Sequence, residues 1–243
     1  MKNNKHYAYE SPFKMKDKDG KEYLLTVEQD DYAEDPRDDY NLCTMVCWHD
    51  RYSLGDKHGF HSVLEFMFDL YREVTSGSWF EKHESDDLQD IFKALNESNL
   101  VLIKAINLYD HSGITVSTSN GYPYNDRWDA GCVGFIYVTK KTIFEECGGI
   151  TKENWKDRAD KYLEGEMKTY DQYLRGECYR FTLEEKVHYR NETTCPHCGE
   201  VIKVDEYDDY EEVDSCCGFF GDCIEENGIL DNIGVDLEFV EED

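Results

Sequence analysis

The arrangement of apolar residues along the chain is the feature that most constrains its fold. Apolar runs at 100–109 and 131–139 have the length and composition of strands, and shorter runs at 23–27 and 43–48 predict two more. Residues 179–183 alternate between apolar and polar side chains, as expected of a half-exposed strand. Because several of these strands follow one another through short turns, we expect a mainly antiparallel sheet.

Helical patterns lie between these strands. Residues 63–71 are apolar nearly all round, which is typical of a buried helix. Further along the chain, residues 122–125 have the composition of a turn. A second helix is predicted with Ser85 as its N-cap and with Leu88, Ile91, Phe92 and Leu95 at helical spacing. A long helix should begin at Thr151 and end at Gly176, with an apolar face of Trp155, Ala159, Tyr162, Leu163, Met167, Tyr170 and Leu174. Together these patterns predict an α+β fold with helices packed on the sheet.

Composition indicates one main domain with additions at both ends. Aromatic residues make up 14% of the chain, and since disordered chains lack them, most of this chain should fold. We predict a flexible arm at 1–20, a main α+β domain at 21–185, a Cys-rich excursion at 186–224 and an acidic C-terminal segment at 225–243.

Charge restricts the partners of this chain. Its 54 acidic and 26 basic residues give a net charge of −28, the wrong sign for gripping nucleic acid or an anionic membrane surface. A partner with a basic groove is attracted instead, although acidity can also serve solubility alone. The acidic residues concentrate at 28–39, 205–214 and 222–243.

The compartment is predicted from the absence of targeting signals. Residues 1–23 are Lys-rich and polar, and no apolar run reaches the length that spans a bilayer. We therefore expect a cytoplasmic protein whose ten cysteines are reduced core residues or metal ligands.

The Cys-rich excursion contains a zinc-knuckle pattern. Cys195 and Cys198 form C-x-x-C followed by Gly199, a spacing that lets two thiolates face one ion. Four cysteines are predicted to close a structural Zn²⁺ site of zinc-ribbon type, namely Cys195, Cys198, Cys217 and Cys223, with Cys216 or Cys178 as substitutes. The alternative is that these are reduced, packed cysteines.

A second cluster of polar residues lies at predicted strand ends. His49, His58, Asp110, His111 and Asp129 fall where functional groups often collect, and they could form a metal or acid–base centre. The alternative is that they are hydrogen-bonded structural anchors. The phosphate loop, the dinucleotide fingerprint, the hydrolase elbow and the deaminase pattern are all missing from the sequence.

Five segments, at 48–58, 108–113, 128–138, 170–174 and 214–221, together resemble a group of acidic proteins encoded by bacteriophages, plasmids and conjugative elements. The group has no established activity, so the resemblance transfers no functional residue. It implies a context in which acidic proteins disarm host restriction, CRISPR or other defence enzymes.

The leading hypothesis is a non-enzymatic counter-defence protein that occupies the basic groove of a host nucleic-acid-handling protein, possibly as a DNA mimic. A charge of −28 equals that of roughly 14 base pairs of duplex. Its partner-binding residues are predicted to be Asp208, Asp209, Glu211 and Glu212. The alternatives are a metal-dependent hydrolase and a ligand-sequestering protein, both using His49, Asp110, His111 and Asp129.

Overall fold

The structure is a computed structural model, and it describes residues 5–75, 87–118 and 129–240. Its elements are β1 (Phe13–Lys16), β2 (Glu22–Gln29), β3 (Thr44–Cys47), α1 (Val63–Thr75), α2 (Leu88–Glu97), β4 (Val101–Asp110), β5 (Ile114–Ser117), β6 (Ala130–Thr139), α3 (Lys140–Glu146), α4 (Trp155–Leu174), β7 (Cys178–Thr194), β8 (Val201–Phe220), α5 (Ile229–Asn232) and β9 (Glu238–Phe239). They form two compact units, each with an antiparallel sheet, so the predicted α+β class is confirmed.

The first unit joins the two ends of the chain, Met1–Glu34 and Gly176–Asp243. Its five strands lie in the order β8-β7-β2-β1-β9, and every neighbouring pair is antiparallel. The alternating residues of β1 and β2 bury one face of this sheet against Phe181, Leu183 and the short C-terminal helix α5. The backbone of residues 6–8 also forms hydrogen bonds with residues 222–224, which directly follow β8.

The second unit is Asp35–Arg175, built on a four-stranded sheet in the order β3-β6-β4-β5. One face of the sheet packs against α3 and α4, with Trp155 and Tyr170 almost fully buried in that core. The other face packs against α1 and α2 through residues that include Phe66 and Ile91. Helices cover both faces, so the central strands β4 and β6 are apolar on both sides, as their sequences indicated.

A β-bulge interrupts the centre of this sheet. Ile106 of β4 pairs with Gly134, but the next residue, Asn107, pairs with Cys132, so Val133 has no partner on β4. Its carbonyl accepts a 2.8 Å hydrogen bond from the backbone N–H of Trp48. Val133 and Ile136 are three positions apart, so in a regular strand their side chains would point to opposite faces of the sheet. The bulge places both in the same core.

Most predicted elements are confirmed, with differences at their ends. Helix α2 begins at Leu88 with Asp87 as its N-cap, because the Asp87 carboxylate accepts a 2.8 Å hydrogen bond from the Gln89 N–H. Ser85, the predicted cap, and the predicted turn at 122–125 lie outside the described residues. On α4, Tyr162 is 37% exposed rather than part of the buried face.

The boundaries between the compact units differ from the domain boundaries that were predicted from composition. Residues 13–16 form β1, which contributes Phe13 and Met15 to a core, so 1–20 is not simply an arm. The stretch 21–185 is divided between the two units, and 225–240 carries α5 and β9 of the first. The reason is that β2 pairs with β7, which lies about 150 residues further along the chain. Local composition carries no information about a pairing between such distant segments.

Candidate functional sites: an acidic hairpin and a polar groove

Strands β7 and β8 form a long hairpin. Nearest the core, residues 179–185 of β7 also pair with β2, and Phe181 and Leu183 are buried. Beyond Glu185, β8 is the only described strand that pairs with β7. Residues 186–194 and 201–210 therefore form a two-stranded ribbon about 30 Å long. All residues from 201 to 213 are exposed. We call the part from 184 to 214 the acidic ribbon.

Strand geometry divides the acidic ribbon into two faces, because directly opposed residues point the same way. The face that we call the carboxylate face bears Glu185, Val187, Tyr189, Tyr207, Asp209 and Glu211. The other, called the paired face, bears Glu184, Lys186, His188, Arg190, Glu206, Asp208 and Glu212. The four predicted partner-binding residues therefore do not share a face, since Asp209 and Glu211 lie on one and Asp208 and Glu212 on the other.

The two faces differ in how the acids between Glu206 and Glu211 are compensated. On the paired face, Asp208 contacts His188 at 2.8 Å and Lys186 at 3.2 Å, and these two hydrogen-bonding partners lower the pKa of its carboxyl group. Glu206 similarly approaches Arg190 at 3.5 Å. On the carboxylate face, Asp209 bonds its neighbour's N–H rather than a cation, and no ion pair to Glu211 is found within the described residues.

Two like-charge pairs occupy successive positions near the base of the acidic ribbon, one on each face. Glu184 is directly opposite Glu212, and Glu185 is directly opposite Glu211. Directly opposed like charges in an antiparallel pair are destabilising. Lys21 relieves one of them through a 2.5 Å contact with Glu185, so the chain compensates this concentration of carboxylates only in part.

The turn at the end of the ribbon contains the predicted zinc knuckle. The N–H of Cys195 bonds the carbonyl of Glu200 at 2.7 Å, and the N–H of Gly199 bonds the carbonyl of Cys195 at 2.9 Å. The Cys195 sulfur accepts hydrogen bonds from the N–H groups of His197 and Cys198 and contacts the Cys198 thiol, and these bonds lower the Cys195 pKa. The turn therefore holds Cys195 and Cys198 side by side.

The other two predicted zinc ligands lie elsewhere. Cys216 is opposite Phe181 and the ladder ends at Thr194, 13 residues further along β7, or about 44 Å away. Cys217 follows Cys216, and Cys223 is buried where it pairs with Tyr7. The substitute Cys178 is buried too, and burial raises its pKa to about 11. The four predicted thiols thus do not meet within one chain, because the strands are far longer than a zinc ribbon requires.

The second predicted cluster is partly brought together. His49, Asp110 and Asp129 line an open, polar groove of about 530 Å³ beside the β6 bulge, together with Arg51 and Cys132. His111 contacts Asp129 at 3.2 Å but is not part of the groove wall. His58 is directed elsewhere, with its Nε2 2.8 Å from the carbonyl of Cys47.

The polar groups of the groove are held by local bonds. Asp110 accepts from the Arg51 guanidinium at 2.5 Å and from the Tyr52 hydroxyl at 3.0 Å. The Nδ1 atom of His49 accepts from the N–H groups of Arg51 and Tyr52, both at 3.2 Å, which leaves the ring proton on Nε2. Throughout the described ranges, no three His, Cys, Asp or Glu side chains are grouped to hold a metal ion.

Sequence reasoning missed a buried ion-pair network in the second unit. Arg37, the single base in the acidic stretch 28–39, is only 8% exposed and binds Asp56 and Glu166. In the sequence, a single base among seven acids was the only available signal of this network. The network fastens the loop before β3 to helix α4.

Comparisons with protein-family models, curated proteins and solved structures found no match to this chain. A membrane-spanning helix is not found either, since each helix among the described residues is too short or too polar for that role.

Proposed function

We propose that this protein is a binding protein whose acidic ribbon occupies the basic groove of a nucleic-acid-handling partner. The observation that carries the proposal is the run of exposed acids on β8, together with two opposed glutamate pairs, Glu184 with Glu212 and Glu185 with Glu211, where the ribbon leaves the sheet. A two-stranded ribbon without further packing is marginally stable, and opposed like charges weaken it further. A cationic partner would offset both costs.

The charge density of the ribbon indicates how it would bind. Residues 205–214 and their β7 partners 183–191 hold nine acids against two bases, a net charge of −7 over about 34 Å. That is one charge per roughly 5 Å, whereas duplex DNA carries one per ~1.7 Å of axis. The ribbon thus has about a third of the duplex density, so it would enter a groove as a single acidic arm.

The carboxylate face is the better candidate for the contact. Asp209 and Glu211 are two positions apart on one strand, about 7 Å, and both are exposed. The stacked rings of Tyr189 and Tyr207, with centroids 5.2 Å apart, extend the same face and add an apolar surface that suits interfaces. Their side chains would contribute contact area beyond charge.

The biological setting proposed for this binding is counter-defence in the cytoplasm of a bacterial host. The resemblance to proteins of bacteriophages and conjugative elements supports it, as does the net charge of −28, which attracts basic grooves over long range. The partner would be a restriction, CRISPR or other defence protein, and binding would exclude its DNA or RNA.

The experiment compares two charge reversals of equal size. Asp209→Lys with Glu211→Lys changes the carboxylate face, and Asp31→Lys with Asp39→Lys makes the same change in net charge at two exposed residues of the acidic stretch 28–39. A partner captured from host lysate should be displaced by excess nucleic acid and by salt. Association should slow about tenfold more for the ribbon variant than for the control. Binding that is indifferent to nucleic acid, or equal losses for both variants, would contradict the proposal.

A second candidate function is capture of a small polar ligand in the groove, because His49, Asp110 and Asp129 converge there with the exposed Cys132. Asp110→Asn distinguishes the possibilities. If Asp110 is a structural anchor, the variant should lose on the order of 1–3 kcal/mol of unfolding free energy. If it serves a ligand, biological activity should disappear while the unfolding curve stays unchanged.

A further inference from the structure

The turn that ends the acidic ribbon presents half of a metal site. Cys195 and Cys198 lie on one tight turn, which is closed by the hydrogen bonds from Cys195 N–H to the Glu200 carbonyl and from Gly199 N–H to the Cys195 carbonyl, and Cys198 is exposed. Gly199 adopts φ +75° directly after the second cysteine, which turns the chain back into β8. Two adjacent thiols on a rigid turn match the knuckle that binds one edge of a tetrahedral zinc ion.

The other cysteines near the C-terminus of the first unit do not complete this site. The register keeps Cys216 about 44 Å from the turn, Cys217 follows it, and Cys223 is buried at the other end of the unit. Closed structural zinc sites have four ligands, and thiolates are strongly favoured when two are already present. The other cysteines of the first unit therefore leave two ligand positions open, and a second copy of the same turn can fill them.

We propose that two copies of this protein share one Zn²⁺ at their ribbon ends, each supplying Cys195 and Cys198. The result is a four-thiolate tetrahedral site on a two-fold axis, with the same turn on both sides of the interface. The turn lies at the end of the β7–β8 ladder farthest from Phe181 and Leu183, so two copies can approach there without the core of the first unit being in the way.

Charge near the turn permits this approach. Residues 189–204 contain two acids, Glu192 and Glu200, and two bases, Arg190 and Lys203, so their net charge is zero. In a chain of net charge −28, this neutral end is where a second copy meets least repulsion.

The surface beside the turn is apolar as well. Val201 is 48% exposed, Ile202 64% and Val204 42%, although none of them packs into a core of the chain. A second ribbon end would cover some of this apolar surface and so add to the metal contacts. The site is independent of the partner proposed above, because the carboxylate face remains open in the dimer.

The test measures zinc content and mass on the full-length protein, purified without a tag or chelator under reducing conditions. The expected result is one zinc per two chains and a mass of twice 28.6 kDa by light scattering, with a return to monomer when EDTA is added. Cobalt substitution should give the absorption of a four-thiolate tetrahedral centre.

Two variants on the same hairpin make the comparison specific. Cys195→Ser with Cys198→Ser should lose the zinc and become monomeric, with unchanged near-ultraviolet circular dichroism because both positions lie outside the cores. The matched control, Cys216→Ser with Cys217→Ser, also alters two exposed cysteines and should keep zinc and dimer. One zinc per monomer, a protein without zinc, or a dimer that survives EDTA would each overturn the proposal.

Discussion

Replacing Arg37 by Met should destabilise the second unit by about 3 kcal/mol. All five N–H donors of the Arg37 guanidinium are used, with two directed at Asp56 at 2.7 and 3.0 Å and one at Glu166 at 2.8 Å. The other two bond the side chain of Asn41 at 2.9 Å and the carbonyl of Cys43 at 2.8 Å. Met keeps much of the side-chain volume and removes the charge, so the change isolates the electrostatic contribution.

The magnitude follows from what the substitution leaves behind. Removing one partner from a buried ion pair costs about 3–5 kcal/mol, because the other charge remains without compensation. The side chains of Asp56 and Glu166 are 25% and 17% exposed, so water reaches them and the lower end of that range applies. For a unit of this size, about 3 kcal/mol corresponds to a fall in Tm of roughly 6–12 °C.

Chemical and thermal unfolding followed by circular dichroism measure this loss, and two further variants test its cause. Arg37→Lys keeps the charge but not the fork of donors, so it should lie between wild type and Arg37→Met. Adding Asp56→Asn and Glu166→Gln to Arg37→Met should recover about 1 kcal/mol or more, because the uncompensated charges are gone. The amide oxygens can still accept the backbone N–H bonds that these carboxylates receive. The reasoning fails if Arg37→Met costs less than about 1 kcal/mol or if the neutral triple variant is no more stable than the single one.

Three smaller predictions concern the second unit. Gly134→Ala should lower the free energy of unfolding in urea by about 1–3 kcal/mol, because the new Cβ would lie 2.2 Å from the carbonyl oxygen of Val46. Gly131→Ala on the same strand is the control: its Cβ meets nothing within 4 Å, so the free energy of unfolding should hardly change. Tyr170→Phe should cost about 1–2 kcal/mol, since the Tyr170 hydroxyl accepts a 2.8 Å bond from a backbone N–H; an unchanged midpoint would show that water replaces it. Burial raises the pKa of Cys47 from 9.0 to about 12, so the unfolded thiol ionises first and the unfolding free energy should fall as pH rises from about 9 towards 12. Cys47→Ala should reduce that slope, and an unaltered slope between about pH 9 and pH 12 would contradict the assignment.

Much of the fold could be predicted because its signals are local. The apolar runs at 100–109 and 131–139 became β4 and β6, and the helical spacing of Trp155, Ala159 and Leu163 became the buried face of α4. Side-chain periodicity reports on the surface that each element buries, whichever partner covers it. The exposed Tyr162 on α4 shows the limit of this signal, since its ring has the right spacing but lies at the edge of the face.

The candidate sites were predicted less completely. The sequence indicated that Cys195 and Cys198 share a turn, because only two residues separate them and their thiols must therefore lie close in space. It also placed Asp110 and Asp129 at strand ends, and the pairing of β4 with β6 brings them to one groove. The sequence did not indicate which acids of 205–214 share a face, because that depends on the register with β7 and on a bulge near Leu183.

The sequence by itself determined the α+β class, the main strands and helices, the acidic character and the paired thiols of the turn. Tertiary structure alone decided that β2 pairs with β7 and so divides the chain into two units. It also decided that Arg37 is buried between Asp56 and Glu166, and that Cys217 and Cys223 lie far from Cys195. The physical reason is the same in each case. Periodicity and spacing describe contacts within a few residues along the chain, whereas these contacts join residues between 19 and about 150 positions apart, whose pairing depends on how whole elements pack.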